Sequence, residues 1–196
     1  GKLNREIIKD YAEQYYQHVK AFPRYISATH SICEDIEKRR ILLENLQDEE
    51  NKDGDHPRLW KNFAKALGAD EKEIENVKLD WFTKDMIDNF FSQARKSYAE
   101  GLASLYTYER QIPEIAETKI QGLKKFYGEN SKEGIEFFEA HKSADVIHRA
   151  ECEKLLDSLS VDEQEKAETA SLLTARYLWN FLSGMTSKHK LQNIAA

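Results

Sequence analysis

Two cysteines, three prolines and eight glycines are all that this chain of 196 residues holds of the types that staple, break or swivel a backbone. Cys33 and Cys152 stand far apart and form no CxxC pair, which excludes a disulfide framework and makes a reducing cytoplasm the expected compartment. The scarcity of proline and glycine leaves helices free to run long. No apolar run approaches the ~20 residues of a transmembrane helix, and no signal-peptide pattern opens the chain, so no membrane association is expected. A basic surplus is missing too. With 29 Lys and Arg against 35 Asp and Glu, the net charge is −6, which argues against nucleic acid or an anionic membrane as partner. There is no convincing period-2 run, internal repeat, low-complexity tract or linker.

Helical periodicity fills what remains. It predicts helices near 4–31, 34–51, 56–67, 83–127, 131–159 and 162–187. Asp70-Glu71-Lys72-Glu73 and Ser160-Val161-Asp162-Glu163 fit capping boxes, which mark helix starts after short connections. Gly68 and Gly128 stand where helices should stop. The expectation is a single domain over 1–196, an all-α bundle. Hydrophobic residues at 40% and charged residues at 33% suit a packed core with a solvated exterior.

Within those helices, four core-facing stripes turn polar. In "FEAHKSADVIHRAECEKLL" (138–156), His141, Asp145 and His148 fall within an arc of about 60° at ~100° per residue. Phe137, Phe138, Cys152, Leu155 and Leu156 share their stripe. Glu49 continues the line of Leu42 and Leu46, and Glu109 follows Leu102 and Leu105 and precedes Ile112. His56 stands three, four and seven residues before Leu59, Trp60 and Phe63. Burying one unpaired carboxylate costs on the order of several kcal/mol, so such groups are paired, protonated or bound to a cation.

Internal salt bridges and satisfied core histidines would account for any one of these segments. Three carboxylates and three histidines on four segments of a bundle point instead to a dinuclear metal centre built from facing helices. The HxxxDxxH spacing departs from the ferritin-like pattern, in which a Glu-x-x-His pair occurs twice. Mixed imidazole and carboxylate donors without thiolate suit Fe or Mn, and six side chains shared by two metals leave open positions for catalysis. Pro113 lacks the N–H that the Glu109 carbonyl would accept, which predicts a kink there. The polar stretch "ENKDGD" between Glu49 and His56 predicts an interruption that is mobile and orders when metal binds.

The segments "YAEQYYQHVKAFPRYISATHSICEDIE", "LLENLQDEEN", "HPRLWKNFAKALG", "YTYERQIPEIAETKIQGL" and "EAHKSADVIHRAE" resemble, in order and spacing, the haem-oxygenase-like dimetal oxidases, relatives of PqqC and TenA. The resemblance covers almost the entire chain. It implies a compact bundle of about seven helices, commonly a homodimer, whose metal ligands match Glu49, His56, Glu109, His141, Asp145 and His148. The activity it implies is O₂-dependent formation of 4-aminobenzoate for folate biosynthesis, with two metal ions (Fe with Fe or Mn) and an external reductant. The carbon skeleton would come from one of the protein's own tyrosines, in a first helix that the family places ahead of Gly1. Lys119 matches the lysine implicated as amino donor, and Tyr11 and Tyr108 match tyrosines with a functional role. On an ideal helix Lys119 would stand roughly 80° off the Glu109 face, in solvent. The resemblance also implies a death-domain protein as partner.

Other readings have sequence markers of their own. An oxygenase acting on a free small molecule would share the ligands and differ in its pocket. A cofactorless PqqC-like oxidase would leave all six polar positions unexplained. A TenA-like thiaminase is disfavoured by "RYLWNFL", which carries no acidic residue.

Overall fold

The computed structural model describes residues 1–191, apart from the side chains of 143–147. It contains nine α-helices and no strand among those residues: α1 (Arg5–Ser31), α2 (Ile36–Glu49), α3 (His56–Ala66), α4 (Glu71–Asn76), α5 (Trp81–Lys96), α6 (Tyr98–Glu109), α7 (Ile112–Tyr127), α8 (Lys132–Asp157) and α9 (Val161–Lys188). The all-α expectation holds.

Local chemistry sets most boundaries. Asn4 accepts from the Ile7 N–H to start α1, and Asp35 accepts from Glu37 and Lys38 to start α2. Asp55 caps α3, with Pro57 in its first turn. Gly128 ends α7 at φ +64°, a left-handed conformation that a side chain would strain. Both capping boxes form, at Asp70 and Ser160. The first opens a helix, α4, that the predicted spans leave out.

The predicted 83–127 helix is instead three helices. Ser97, extended at φ −155° and ψ 164°, separates α5 from α6, and its hydroxyl accepts from the Glu100 N–H. The Ser97-x-x-Glu100 spacing matches the sequence pattern that marked Asp70 and Ser160, with the Glu100 carboxylate accepting from the Ser97 hydroxyl and from Lys96. The kink expected at Pro113 is a full break: α6 stops at Glu109, and α7 restarts at Ile112 with Pro113 in its first turn.

The helices close around an aromatic interior. His18, Tyr25, Trp60, Phe63, Phe90 and Phe181 are buried, and Trp60 donates its indole N–H to the Ala12 carbonyl at 2.7 Å. α6 is packed against α1, α5, α8 and α9, so Glu109 at its end is delivered into the interior. A Cβ on Gly101 would lie 2.5 Å from Thr29 Oγ1, so α6 meets α1 where a side chain has no room. No helix among the described residues is long and apolar enough to cross a membrane.

Candidate metal centre

Two helix ends and the middle of a third helix converge at one point. Glu49 closes α2, His56 opens α3, and His141 sits in mid-α8. All three are buried, and one ligand atom from each lies within 4.8 Å of the other two. His56 Nδ1 is 2.9 Å from Glu49 Oε2, and the two imidazole rings are 4.1 Å apart between centroids. Burial works against the imidazolium of His56, but neighbouring Glu49 outweighs it and holds the group above its ordinary range. His141 is pushed well below its ordinary range by burial and by the nearness of His56. Its Nδ1 is 2.7 Å from the Phe137 carbonyl, the arrangement in which a histidine turns its other nitrogen to a metal. A carboxylate and two imidazoles, buried and crowded together, suit a divalent cation such as iron.

Glu109 lies beside this triad. Burial pushes its carboxyl up to about 8, against the donation of Asn45 and with the charge of Glu49 adding to the shift. Its Oε1 accepts from Asn45 Nδ2 at 2.7 Å, and its Oε2 lies 3.8 Å from Cys152 Sγ. A cation would displace that proton, so metal uptake here releases acid. His148 is buried with Nε2 3.0 Å from Asp48 Oδ2, while its Nδ1 is buried without a hydrogen-bond partner. Asp145 lies outside the described side chains. Of the six sequence-derived ligands, the structure thus converges Glu49, His56 and His141, sets Glu109 next to them, and places His148 against Asp48.

Lys119 is not the solvated lysine that an ideal helix would make it. The break before α7 re-aims it inward. Its Nζ donates to the Tyr11 hydroxyl at 2.7 Å and stands 4.9, 5.7, 5.7 and 5.4 Å from the ring centres of Tyr11, Tyr15, Trp60 and Phe138. Ring contacts join this cage to the triad: Tyr11 to Trp60 at 6.0 Å, Trp60 to Phe137 at 4.7 Å, Phe137 to His141 at 4.0 Å. Tyr108 is buried against His18 and Phe22. Tyr106, its neighbour in sequence, instead reaches Glu153 near the surface.

Sequence reasoning missed Asn45 and Asp48 beside the centre, and it placed Cys152 on the stripe without a role. Asn45 had a signal, since it stands one turn before Glu49 on α2. A cleft of about 360 Å³, lined by Asp48, Asn51, Asp53, Gly54, His56 and Ala140, opens onto the triad from the α2–α3 connection.

The family described as iron-containing redox enzyme matches residues 9–179. The protein named 4-aminobenzoate synthase in Chlamydia muridarum is 42% identical over 183 residues, covering 93% of this chain and 78% of that protein. A protein of the same name in Nitrosomonas europaea is 36% identical, with 94% and 80% covered. A haem-oxygenase-like domain of unknown function from Shewanella denitrificans superposes with a TM-score of 0.83 at 12% identity, covering 99% of this chain and 83% of that one. The buried cluster, the fold and the sequence agree, and the chain belongs to the haem-oxygenase-like iron-containing redox enzymes, among relatives that carry the name 4-aminobenzoate synthase.

Proposed function

We propose that this chain is an O₂-dependent dimetal oxygenase that forms 4-aminobenzoate for folate biosynthesis. The observation that carries the reading is the buried convergence of Glu49, His56 and His141, with Glu109 beside it. Glu49, His56 and His141 would hold one metal, and Glu109, Asp145 and His148 the other, as iron with iron or manganese. When bound, such a pair supplies one-electron redox chemistry with O₂, fed by an external reductant.

The chain's own residues prepare the surroundings. His141 is oriented by the Phe137 carbonyl. Trp60, Phe137 and Phe138 wall the interior and keep water from the reacting groups. Lys119 presents its nitrogen inside an aromatic cage with its Nζ donating to Tyr11, which suits it to deliver nitrogen to an aromatic ring. Tyr11, hydrogen-bonded to Lys119, and Tyr108, buried against His18, are the tyrosines given a role beside the site, and the carbon skeleton comes from a tyrosine of the polypeptide, so each chain acts once. The 42% and 36% identical relatives named for this product support 4-aminobenzoate as the product.

We also propose a homodimer. Trp81 on α5 is 65% exposed, and Leu172, Trp179 and Leu182 on the adjoining α9 are exposed within an arc of about 80°. A death-domain partner is retained only as a competing use of that surface.

The test is metal content per chain after anaerobic loading with Fe(II) and Mn(II). About two metals are expected, as in two-metal sites generally, with a clear loss in His141→Ala. Adding O₂ and a reductant to the polypeptide that also carries the family's first helix should then yield 4-aminobenzoate, and Lys119→Ala in that polypeptide should abolish it while leaving the metal in place. A folded parent that binds no metal would sink the reading.

A further inference from the structure

We infer that Asn45 and Cys152 are positioning residues that each hold one oxygen of Glu109 and keep this carboxylate ready for the second metal ion. The inference rests on the dimetal reading above and assigns a task to two residues that supply no ligand in it.

Geometry carries the argument. Asn45, Glu109 and Cys152 are each no more than 3% exposed, so their contacts form away from water. Asn45 Nδ2 donates to Oε1 at 2.7 Å, and the Cys152 thiol donates to Oε2 at 3.8 Å. Each donor therefore has its own oxygen, and the carboxylate plane is set by a contact to each oxygen. The three residues come from three helices, α2, α6 and α8. Asn45 stands one turn before Glu49, and Cys152 one turn after His148, so each donor rides on a helix that also brings a candidate ligand.

The chemistry of the donors is selective. A lysine or arginine in either place would neutralise Glu109 and repel an incoming cation. An amide and a thiol orient the carboxyl group without setting a positive charge beside it, and each leaves lone pairs on its oxygen free. Asn45 Oδ1 is buried with no hydrogen-bond partner, an acceptor that a purely structural contact would not need. Neighbours of this kind, oriented on a ligand, typically govern metal affinity by about 10–100-fold.

The experiment is anaerobic titration of the full metal-free chain with Co(II), whose visible absorption reports the number and geometry of bound ions. The parent should take about two equivalents. Asn45→Leu should keep the equivalent held by Glu49, His56 and His141 while weakening the other by about 10–100-fold. Cys152→Ala should act in the same direction, and Cys152→Ser, which restores a donor, should recover the parent curve. If Asn45→Leu fails to fold by circular dichroism, the Cys152 pair decides alone. A merely structural role would lower the melting temperature without singling out one equivalent and without rescue by serine. Two tight equivalents in both Asn45→Leu and Cys152→Ala would overturn the positioning role and leave the dimetal reading standing. Fewer than two in the parent would overturn that reading, and this inference with it.

Discussion

Among the single residues, His18 makes the largest unsatisfied demand. It is fully buried, and neither ring nitrogen has a hydrogen-bond partner. Aromatic rings surround it, with Phe90 at 4.8 Å, Tyr108 at 5.0 Å and Tyr15 at 5.2 Å. Burial pushes its pKa down to about 3 from an ordinary 6.5. The unfolded chain therefore takes up a proton below pH 6.5 that the folded chain refuses until about 3. Stability falls as the pH drops through that window, by on the order of 1.4 kcal/mol per unit. His18→Phe, which keeps a ring in the cage, should flatten the dependence. Urea unfolding at pH 7 and 4.5 should show the parent losing more stability than the variant, and equal losses would disprove the account. Such a residue was visible in the sequence as a histidine on the stripe of Tyr11, Tyr15 and Phe22. That both nitrogens are orphaned was not, because it depends on what α5 and α6 bring against them.

At the scale of elements, close approach decides more than propensity does. Gly101 lies inside α6, where alanine would be favoured by about 1 kcal/mol on helix propensity alone. The new methyl would meet Thr29 Oγ1 at 2.5 Å and Cγ2 at 2.8 Å. Thr29 is fully buried with its hydroxyl bonded to the Tyr25 carbonyl, so it has little freedom to turn aside. Overpacking typically costs about 1–3 kcal/mol, and it should win. Gly101→Ala is expected to lower the melting temperature, whereas a rise would show that α1 and α6 separate easily. The breaks at Ser97 and at Arg110–Gln111 belong to this scale as well. Periodicity ran through both because the apolar stripe resumes after each. The Ser97-x-x-Glu100 spacing was readable as a helix start, and both helices that it separates pack against α9. The Pro113 signal was correctly located and underestimated in size.

For the whole molecule, the exposed apolar residues on α5 and α9 set the expectation. Trp81 and Trp179 are each 65% exposed, on helices that carry none of the candidate metal ligands. Sedimentation velocity should give a dimer, and Trp179→Asp should shift it toward monomer with helical content unchanged. A monomeric parent would refute the second-copy proposal. Glu75 shows the opposite kind of surface. Lys20, Lys61 and Tyr16 hydrogen-bond its carboxylate and hold it down to about 2. Its contribution is present above the ordinary carboxylate pKa and is lost as the pH falls toward 2, much reduced by solvent screening.

The sequence by itself determined the helical class, the helix starts at Asp70 and Ser160, and the inward-facing stripe positions of Glu49, His56, Glu109, His141 and His148. These follow from spacing and side-chain chemistry along one helix at a time. Only the tertiary structure decided which of them meet. Glu49, His56 and His141 converge because α2, α3 and α8 cross at one point. Lys119 enters its aromatic cage because the break before α7 turns that helix, and Glu109 is held by Asn45 and Cys152 because α6 ends between α2 and α8. The physical reason is the same in each case: helical periodicity fixes a direction around one axis, and only packing fixes how the axes stand to one another.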